Sequence, residues 1–226
     1  MKSHQNRNVF LPAERIAEMT AAGAWADKTI CDFFDRWSTT CPDRTAIVSV
    51  DSETGTRHNM SFGELGELSD RIAADLHSRG VRLGDVVAAQ LPNTYEMLAI
   101  TLACARIGAV VNPLMPILRE RELTHIFTMT EATVFYVPDT FKGFDFRSLA
   151  NVVRKRVPTL EHVIVLGANG FEFEDEQRST LEYDAVDPNE LFQIMFTSGT
   201  TGEPKGVMHT ANTLFANITQ LADRFE

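Results

Sequence analysis

The sequence has little cysteine and no closely spaced cysteine pair. Its 226 residues include three cysteines, Cys31, Cys41 and Cys104, without a C-x-x-C pattern. An odd number of scattered cysteines argues against a disulfide framework and against a cysteine-based zinc site. We therefore predict free thiols that fill core space in a reducing compartment.

Long hydrophobic runs are also missing. The most apolar stretch, 97–111, is interrupted by Arg106 and falls short of the roughly 20 residues that a membrane-spanning helix needs. The first fifteen residues are polar and contain no apolar segment typical of a secretory signal. We predict that no segment spans a membrane and that the location is cytoplasmic.

Positive charge is scarce. The chain carries 21 Lys and Arg against 31 Asp and Glu, which gives a net charge of −10 and a pI near 5.1. Without a basic run to offset the repulsion of phosphate backbones, nucleic acid is not a predicted partner. The acidic residues of 167–190 lack calcium-loop spacing, so we interpret them as a solvated connection and predict no metal ligand.

A loop rich in hydroxyls and glycines stands out against this background. Residues 195–207 read MFTSGTTGEPKGV, and the apolar residues 191–196 before them predict a buried strand that leads directly into the loop. Hydroxyl groups donate hydrogen bonds to anions, glycines let the backbone approach closely, and Lys205 adds a compact positive charge. This pattern indicates phosphate binding.

Two other interpretations of the loop fit less well. The spacing departs from the P-loop pattern G-x-x-x-x-G-K-S/T, because Pro204 stands five residues after Gly199 and no Ser or Thr follows Lys205. A flexible Gly/Ser/Thr linker is the second interpretation. It is disfavoured because extended, partly apolar residues resume at Val207 without a polar spacer.

The string 196–207 resembles the AMP-binding signature of the adenylate-forming enzymes, which comprise acyl-CoA synthetases, peptide-synthetase adenylation domains and luciferases. Two further stretches resemble the same family, MSFGEL at 60–65 and LACARIGAVVNP at 102–113, the latter followed by Pro116. Together the three stretches extend the resemblance from about Thr29 to the end of the chain. Its most similar branch is the short- and medium-chain fatty acid or cyclohexanecarboxylate ligases, because of residues 21–25 and 29–33.

The resemblance implies an activity and a set of site residues. In this family, a carboxylate attacks the α-phosphorus of Mg-ATP to give an acyl-adenylate and pyrophosphate, and CoA then accepts the acyl group. Lys205 is implied as the catalytic residue that offsets charge on the departing pyrophosphate. The implied phosphate-binding residues are Thr197, Ser198, Gly199, Thr200, Thr201, Gly202 and Lys205.

ATP, Mg²⁺ and coenzyme A are the implied cofactors and co-substrates, and a fatty or alicyclic acid is the implied substrate. His209 stays outside the catalytic set because relatives carry their histidine two positions later.

The pattern along the chain alternates between strands and helices, which predicts an α/β fold with largely parallel sheets covered on both faces. Strands are predicted at 45–50, 57–61, 86–91, 110–111, 133–137, 162–166 and 191–197. Helices are predicted at 13–22, from Ser61 to Gly80, and at 94–107, 120–129, 148–157 and 211–225. Ser61 and Glu64 predict a capping box at the start of the second of these helices.

We expect this chain to be the N-terminal fragment of a longer enzyme. The predicted division is an arm at 1–27, a first α/β subdomain at 28–166, an acidic connection at 167–190, and the start of an incomplete second part at 191–226, with the family's C-terminal domain absent. The fragment is expected to be inactive alone and to expose an apolar flank of the 191–197 strand. Three alternatives stay open: a non-catalytic binding or homodimerising module, an adenylation domain that acts on a carrier protein, and a luciferase-like enzyme.

Overall fold

The computed structural model describes residues 11–168, 170–173, 183–197 and 204–225. The helices within these ranges are α1 (Ala13–Ala21), α2 (Ile30–Thr40), α3 (Phe62–Ser78), α4 (Tyr95–Ile107), α5 (Glu120–Thr130), α6 (Phe146–Arg156) and α7 (Ala211–Phe225). The strands are β1 (Thr45–Val50), β2 (Arg57–Ser61), β3 (Val86–Ala89), β4 (Val110–Pro113), β5 (Val134–Pro138), β6 (Thr140–Phe141), β7 (Phe144–Asp145), β8 (His162–Leu166), β9 (Leu191–Thr197) and β10 (Lys205–Thr210).

Six strands form the central sheet in the order β10-β9-β4-β3-β5-β8. Every neighbouring pair is parallel except β10 with β9, which is antiparallel. Alternate side chains of β3 point to opposite faces: Val87 packs in one buried cluster with residues of α3 and α4, and Val86 packs in another with residues of α5 and α6. The predicted α/β class, a largely parallel sheet flanked by helices, is therefore confirmed.

The predicted capping box at the start of α3 is present. The Ser61 backbone N–H donates to Glu64 Oε2 at 2.8 Å, and the Glu64 backbone N–H donates to Ser61 Oγ at 3.2 Å. These two bonds satisfy backbone donors that would otherwise lack partners in the first turn. They fix where the chain leaves the β1–β2 hairpin, whose two strands pair antiparallel.

One helix, α2, was not predicted. Its residues include aromatic, β-branched, Ser and Cys side chains of low intrinsic helix propensity, although Ile30, Phe33, Phe34 and Trp37 recur at helical spacing. The helix forms because Thr29 and Asp32 make a second capping box and because Phe34 packs against the cluster that contains α3 and α4. Tertiary contacts thus override a weak local preference.

Arg106, which interrupts the apolar stretch 97–111, fastens three helices together. Its guanidinium, 14% exposed, pairs with Asp35 of α2 at 2.9 Å and with Asp70 of α3 at 2.7 Å. Burial raises the pKa of the Asp70 carboxyl even though Arg106 acts in the opposite direction. Among the described helices, α4 included, none is long and apolar enough to cross a bilayer.

The strands after the acidic connection belong to the same sheet as those before it. Val111 of β4 is the parallel partner of Gln193 of β9, so β9 and β10 extend the sheet built by 28–166. Part of the connection, 169 and 174–182, lies outside the described residues, and 183–190 forms neither helix nor strand. The division at 167–190 therefore separates two sets of strands that share one sheet.

Candidate functional site

The predicted phosphate loop is carried by an antiparallel hairpin. Its arms are β9 and β10, which pair continuously from Gln193 with His209 to Thr197 with Lys205. Thr197 and Lys205 are therefore the last paired residues before the loop. The other implied phosphate-binding residues lie outside the described residues: Ser198, Gly199, Thr200, Thr201 and Gly202.

Thr197 and Lys205 project from the same side of the hairpin. Residues that are opposite each other in an antiparallel pair share a face, and so do residues two positions apart. The same face therefore carries Met195 and Val207, while Ile194 and Phe196 occupy the other face and pack toward the core. Both Thr197 and Lys205 are exposed, so a hydroxyl and an ammonium stand together at the end of the sheet.

Gly206 serves close packing within this hairpin. A Cβ at this position would lie 3.0 Å from Ile194 Cγ2 and 3.2 Å from Phe196 Cζ. Both distances are shorter than ordinary van der Waals contact, so the side chains of Ile194 and Phe196 would have to shift to admit a larger residue. The glycine next to Lys205 thus leaves room for these two side chains.

A cleft of about 930 Å³ lies beside the hairpin, and Met195 forms part of its wall. The rest of its floor comes from residues that follow parallel strands: Leu91 and Pro92 after β3, Pro113 to Pro116 at the end of β4, Pro138 and Asp139 at the end of β5, and Leu166 at the end of β8. The turn between β1 and β2 closes one side. The cleft therefore lies at the carboxyl edge of the sheet, where α/β proteins bind ligands.

The topology explains why a crevice forms at this point. The helix after β3, α4, packs on one face of the sheet, whereas the helix after β4, α5, packs on the other. Loops from adjacent strands that leave toward opposite faces open a gap between them. This switch point was not predicted, although Pro92, Asn93 and Pro113 directly after apolar strands could have indicated it.

The cleft is acidic. Its wall includes the carboxylates of Asp51, Glu53, Glu96 and Asp139, and none of its described wall residues is Lys or Arg. The backbone N–H groups of Glu53 and Thr54 donate to Asp51 and lower the pKa of its carboxyl. Asp139 pairs with Arg147 at 2.7 Å, so the described wall itself offers no cation, whereas the end of the hairpin carries Lys205.

Tyr95 lies in the same wall and stays neutral over the ordinary pH range. Burial and the adjacent Glu96 carboxylate raise the pKa of its phenol to about 12. Its ring is 5.8 Å from that of His58, centroid to centroid. Among the described residues, no group of three or more His, Cys, Asp or Glu side chains is arranged to hold a metal ion.

Comparison with known proteins gives consistent similarities. The family model for AMP-binding enzymes matches residues 34–226. The salicyl-AMP ligase/salicyl-S-ArCP synthetase of Mycobacterium tuberculosis is 33% identical over 223 residues, which cover 95% of this chain and 39% of that protein. The medium-chain fatty-acid–CoA ligase of Escherichia coli is 29% identical over 212 residues, covering 90% of this chain and 37% of that protein.

The fold has solved counterparts as well. The apo structure of MbtA from Mycobacterium smegmatis superposes with a TM-score of 0.82 at 30% identity, over 99% of this chain and 41% of that one. The chain thus spans about two fifths of the length of these relatives.

Proposed function

Because the chain belongs to the AMP-binding enzyme family, we propose that the whole protein activates a carboxylic acid with ATP and then transfers the acyl group to coenzyme A. The observation that carries this proposal is the hairpin that places Lys205 beside Thr197 at the mouth of the signature loop. Family membership supports ATP-dependent ligation. The choice of acid and acceptor is a further part of the proposal.

In the proposed first step, a carboxylate oxygen attacks the α-phosphorus of ATP. The bond from that phosphorus to the bridging oxygen breaks, and pyrophosphate leaves with the electron pair. Lys205 offsets the charge that develops on this leaving group, while Thr197 and the loop residues Ser198, Gly199, Thr200, Thr201 and Gly202 hold its oxygens. Catalysis of this kind depends mainly on positioning and electrostatics.

Magnesium supplies charge neutralisation when it accompanies ATP. The described residues offer no cluster of carboxylates that would bind it. The steps assigned to this chain are those of Lys205, the hydroxyl groups and the loop glycines.

The proposed substrate is a fatty or alicyclic acid and the proposed acceptor is CoA, supported by the similarity to the medium-chain fatty-acid–CoA ligase. A second candidate is transfer to a carrier protein after activation of an aryl acid. It is favoured by the similarity to the salicyl-AMP ligase/salicyl-S-ArCP synthetase, at 33% identity. Both candidates share the adenylation step and differ in the acid and the acceptor.

The adenylation step is tested first. The full-length protein is assayed for exchange of labelled pyrophosphate into ATP with octanoate, cyclohexanecarboxylate, benzoate and salicylate in turn. Acid-dependent exchange is the expected result, and a folded full-length protein that shows no exchange with any carboxylic acid would refute the proposal. Release of AMP in the presence of CoA or of a pantetheinylated carrier protein then separates the two acceptors.

A non-catalytic role for the 226-residue chain is the competing proposal. Under it, the native protein has an intact mass of 25.2 kDa and the chain binds or dimerises without turnover. The exposed apolar side chains of Met195, Val207 and Met208 on the hairpin are compatible with either a covering segment or a second copy. Intact-mass measurement on protein from its own cells distinguishes this role from the proposed enzyme, for which we expect a larger mass.

A further inference from the structure

Gln90 is a polar residue enclosed in the apolar sheet. It follows β3 directly, has no exposed surface, and donates its backbone N–H to the carbonyl oxygen of Tyr136 at 2.9 Å. Its side-chain Nε2 donates two further hydrogen bonds, to the carbonyl oxygens of Met115 at 3.0 Å and Leu118 at 2.9 Å. Both N–H groups of the amide are thus directed at one short segment of the chain.

That segment, 114–118, connects β4 to α5 and forms a wall of the cleft. Its first residue, Leu114, is buried in the core and Leu118 packs against it, whereas Met115 is 55% exposed and Ile117 is 73% exposed. Arg119 Nη1 also donates to the carbonyl oxygens of Pro116 and Leu118. Pro116 has no N–H with which to anchor the backbone. Leu118 N–H donates to Met115 O at 3.1 Å, so the two carbonyls that Gln90 binds belong to the ends of one tight turn.

Burying a primary amide costs free energy unless its groups are hydrogen-bonded. At this position both donors are used by the 114–118 turn, while Oε1 has no partner among the described residues. The amide therefore favours the one conformation of the turn that presents two carbonyls 3.0 Å or less from a fixed nitrogen. An apolar residue of equal length would fill the same space without this preference.

We propose that Gln90 is a positioning residue, which holds the 114–118 turn in the shape that the cleft needs to bind a substrate of the reaction. The inference rests on the proposed function for the identity of that reaction. Since the wall carries carboxylates and no described Lys or Arg, it disfavours an anionic part of the substrate. A preformed wall lowers the ordering cost that binding would otherwise incur.

The test compares Gln90→Met with Thr130→Val in the full-length protein. Gln90→Met keeps the length of the side chain and removes both donors. The control Thr130→Val removes a hydrogen bond of the same kind, from a 4%-exposed hydroxyl to the Ile126 carbonyl oxygen at 2.9 Å, within α5 and outside the cleft wall. Gln90→Glu is the second variant, because an ionised carboxylate also lacks the donors and its protonated form regains one.

The expected result has two parts. Hydrogen exchange at the Leu118 amide becomes at least about tenfold faster in Gln90→Met than in the wild type, and Thr130→Val leaves it unchanged. In steady-state assays with ATP, acid and acceptor varied separately, Gln90→Met raises the KM of at least one substrate about fivefold or more, while kcat changes less than about twofold. In Gln90→Glu the protection of Leu118 increases as the pH falls.

Three outcomes would overturn the proposal: unchanged exchange at Leu118 in a folded Gln90→Met or Gln90→Glu protein, a loosened turn with every KM unchanged, or an equal effect of Thr130→Val on KM. If the wild-type protein shows no ligase activity, the proposed function fails. The exchange measurement then still decides whether Gln90 fixes the turn, so the two failures are distinguishable.

Discussion

Lys205 lies directly opposite Thr197 in the antiparallel register of β9 and β10. Residues 198–204 connect them, so whatever these residues bind is flanked by one ammonium and one hydroxyl on the same face of the hairpin. The register of six paired positions defines where the lysine backbone lies, and Gly206 leaves room for the side chains of Ile194 and Phe196. The β9–β10 hairpin therefore carries the positive charge of Lys205 and also determines its backbone position.

Lys205→Ala is expected to lower the adenylation rate of the full-length protein by at least about tenfold, which corresponds to roughly 1.4 kcal/mol of transition-state stabilisation. The reason is the loss of positive charge beside the departing pyrophosphate. The measurement is acid-dependent pyrophosphate exchange at saturating ATP. Lys155→Ala is the matched control, because Lys155 is an exposed lysine at the end of α6. An exchange rate within about twofold of the wild type in Lys205→Ala would remove the lysine from the mechanism.

Gly206→Ala is expected to destabilise the protein by about 1–3 kcal/mol, because the added Cβ would overpack against Ile194 and Phe196. Urea unfolding measures the change. Gly167→Ala is the control: a Cβ there meets no atom within 4 Å, and the backbone does not have positive φ. Equal stabilities of the two variants would show that the hairpin adjusts without cost.

Much of the fold could be predicted because its signals are local. The capping residues Ser61 and Glu64 start α3, and the continuous apolar residues of β3 indicate a strand that is buried on both faces. Gly108, in the left-handed conformation at φ 67°, ends α4 where the sequence predicts a break. Each of these features depends on a few neighbouring residues, and all were confirmed.

The arrangement of the helices and strands relative to one another could not be predicted from such local signals. That β9 pairs with β4, and that loops after β3 and β4 open a crevice, depends on contacts between residues far apart in the sequence. In the sequence, Gln90 is one polar residue at the end of an apolar run. Its hydrogen bonds to the carbonyl oxygens of Met115 and Leu118 are visible only in the folded structure. Among the implied site residues, Thr197 and Lys205 lie together, and the role of every site residue stays a prediction.

Asn112 makes a useful contrast with Gln90. It lies on β4 with no exposed surface, and neither of its amide atoms has a hydrogen-bond partner among the described residues. Because an unpaired buried amide costs free energy, Asn112→Val is expected to stabilise the protein by about 1 kcal/mol, whereas Gln90→Met destabilises it. Urea unfolding of both variants measures this difference. Destabilisation of more than about 1 kcal/mol by Asn112→Val would mean that an enclosed water or another group pairs with the amide.

Stability is expected to fall as the pH rises above about 9, because several buried acidic groups hold their protons in the folded state. Burial raises the pKa of Cys31 from its ordinary value of 9.0 to about 12, and it also raises the pKa of Cys104 and of Tyr136. The unfolded chain releases these protons at lower pH than the folded chain does. The folded state then binds more protons in this range, and the free energy of unfolding decreases with increasing pH.

At about pH 10, each thiol that ionises in the unfolded chain but stays protonated in the folded one lowers the stability by about 1.4 kcal/mol. Urea unfolding at about pH 8 and about pH 10 measures the loss, at fixed ionic strength. Cys104→Ala is expected to reduce the slope of stability against pH even though it lowers the stability at both values, because the variant has one titrating thiol fewer. A slope that is flat or positive between these values in the unmodified protein would contradict the assignment of Cys31 and Cys104 as protonated core thiols.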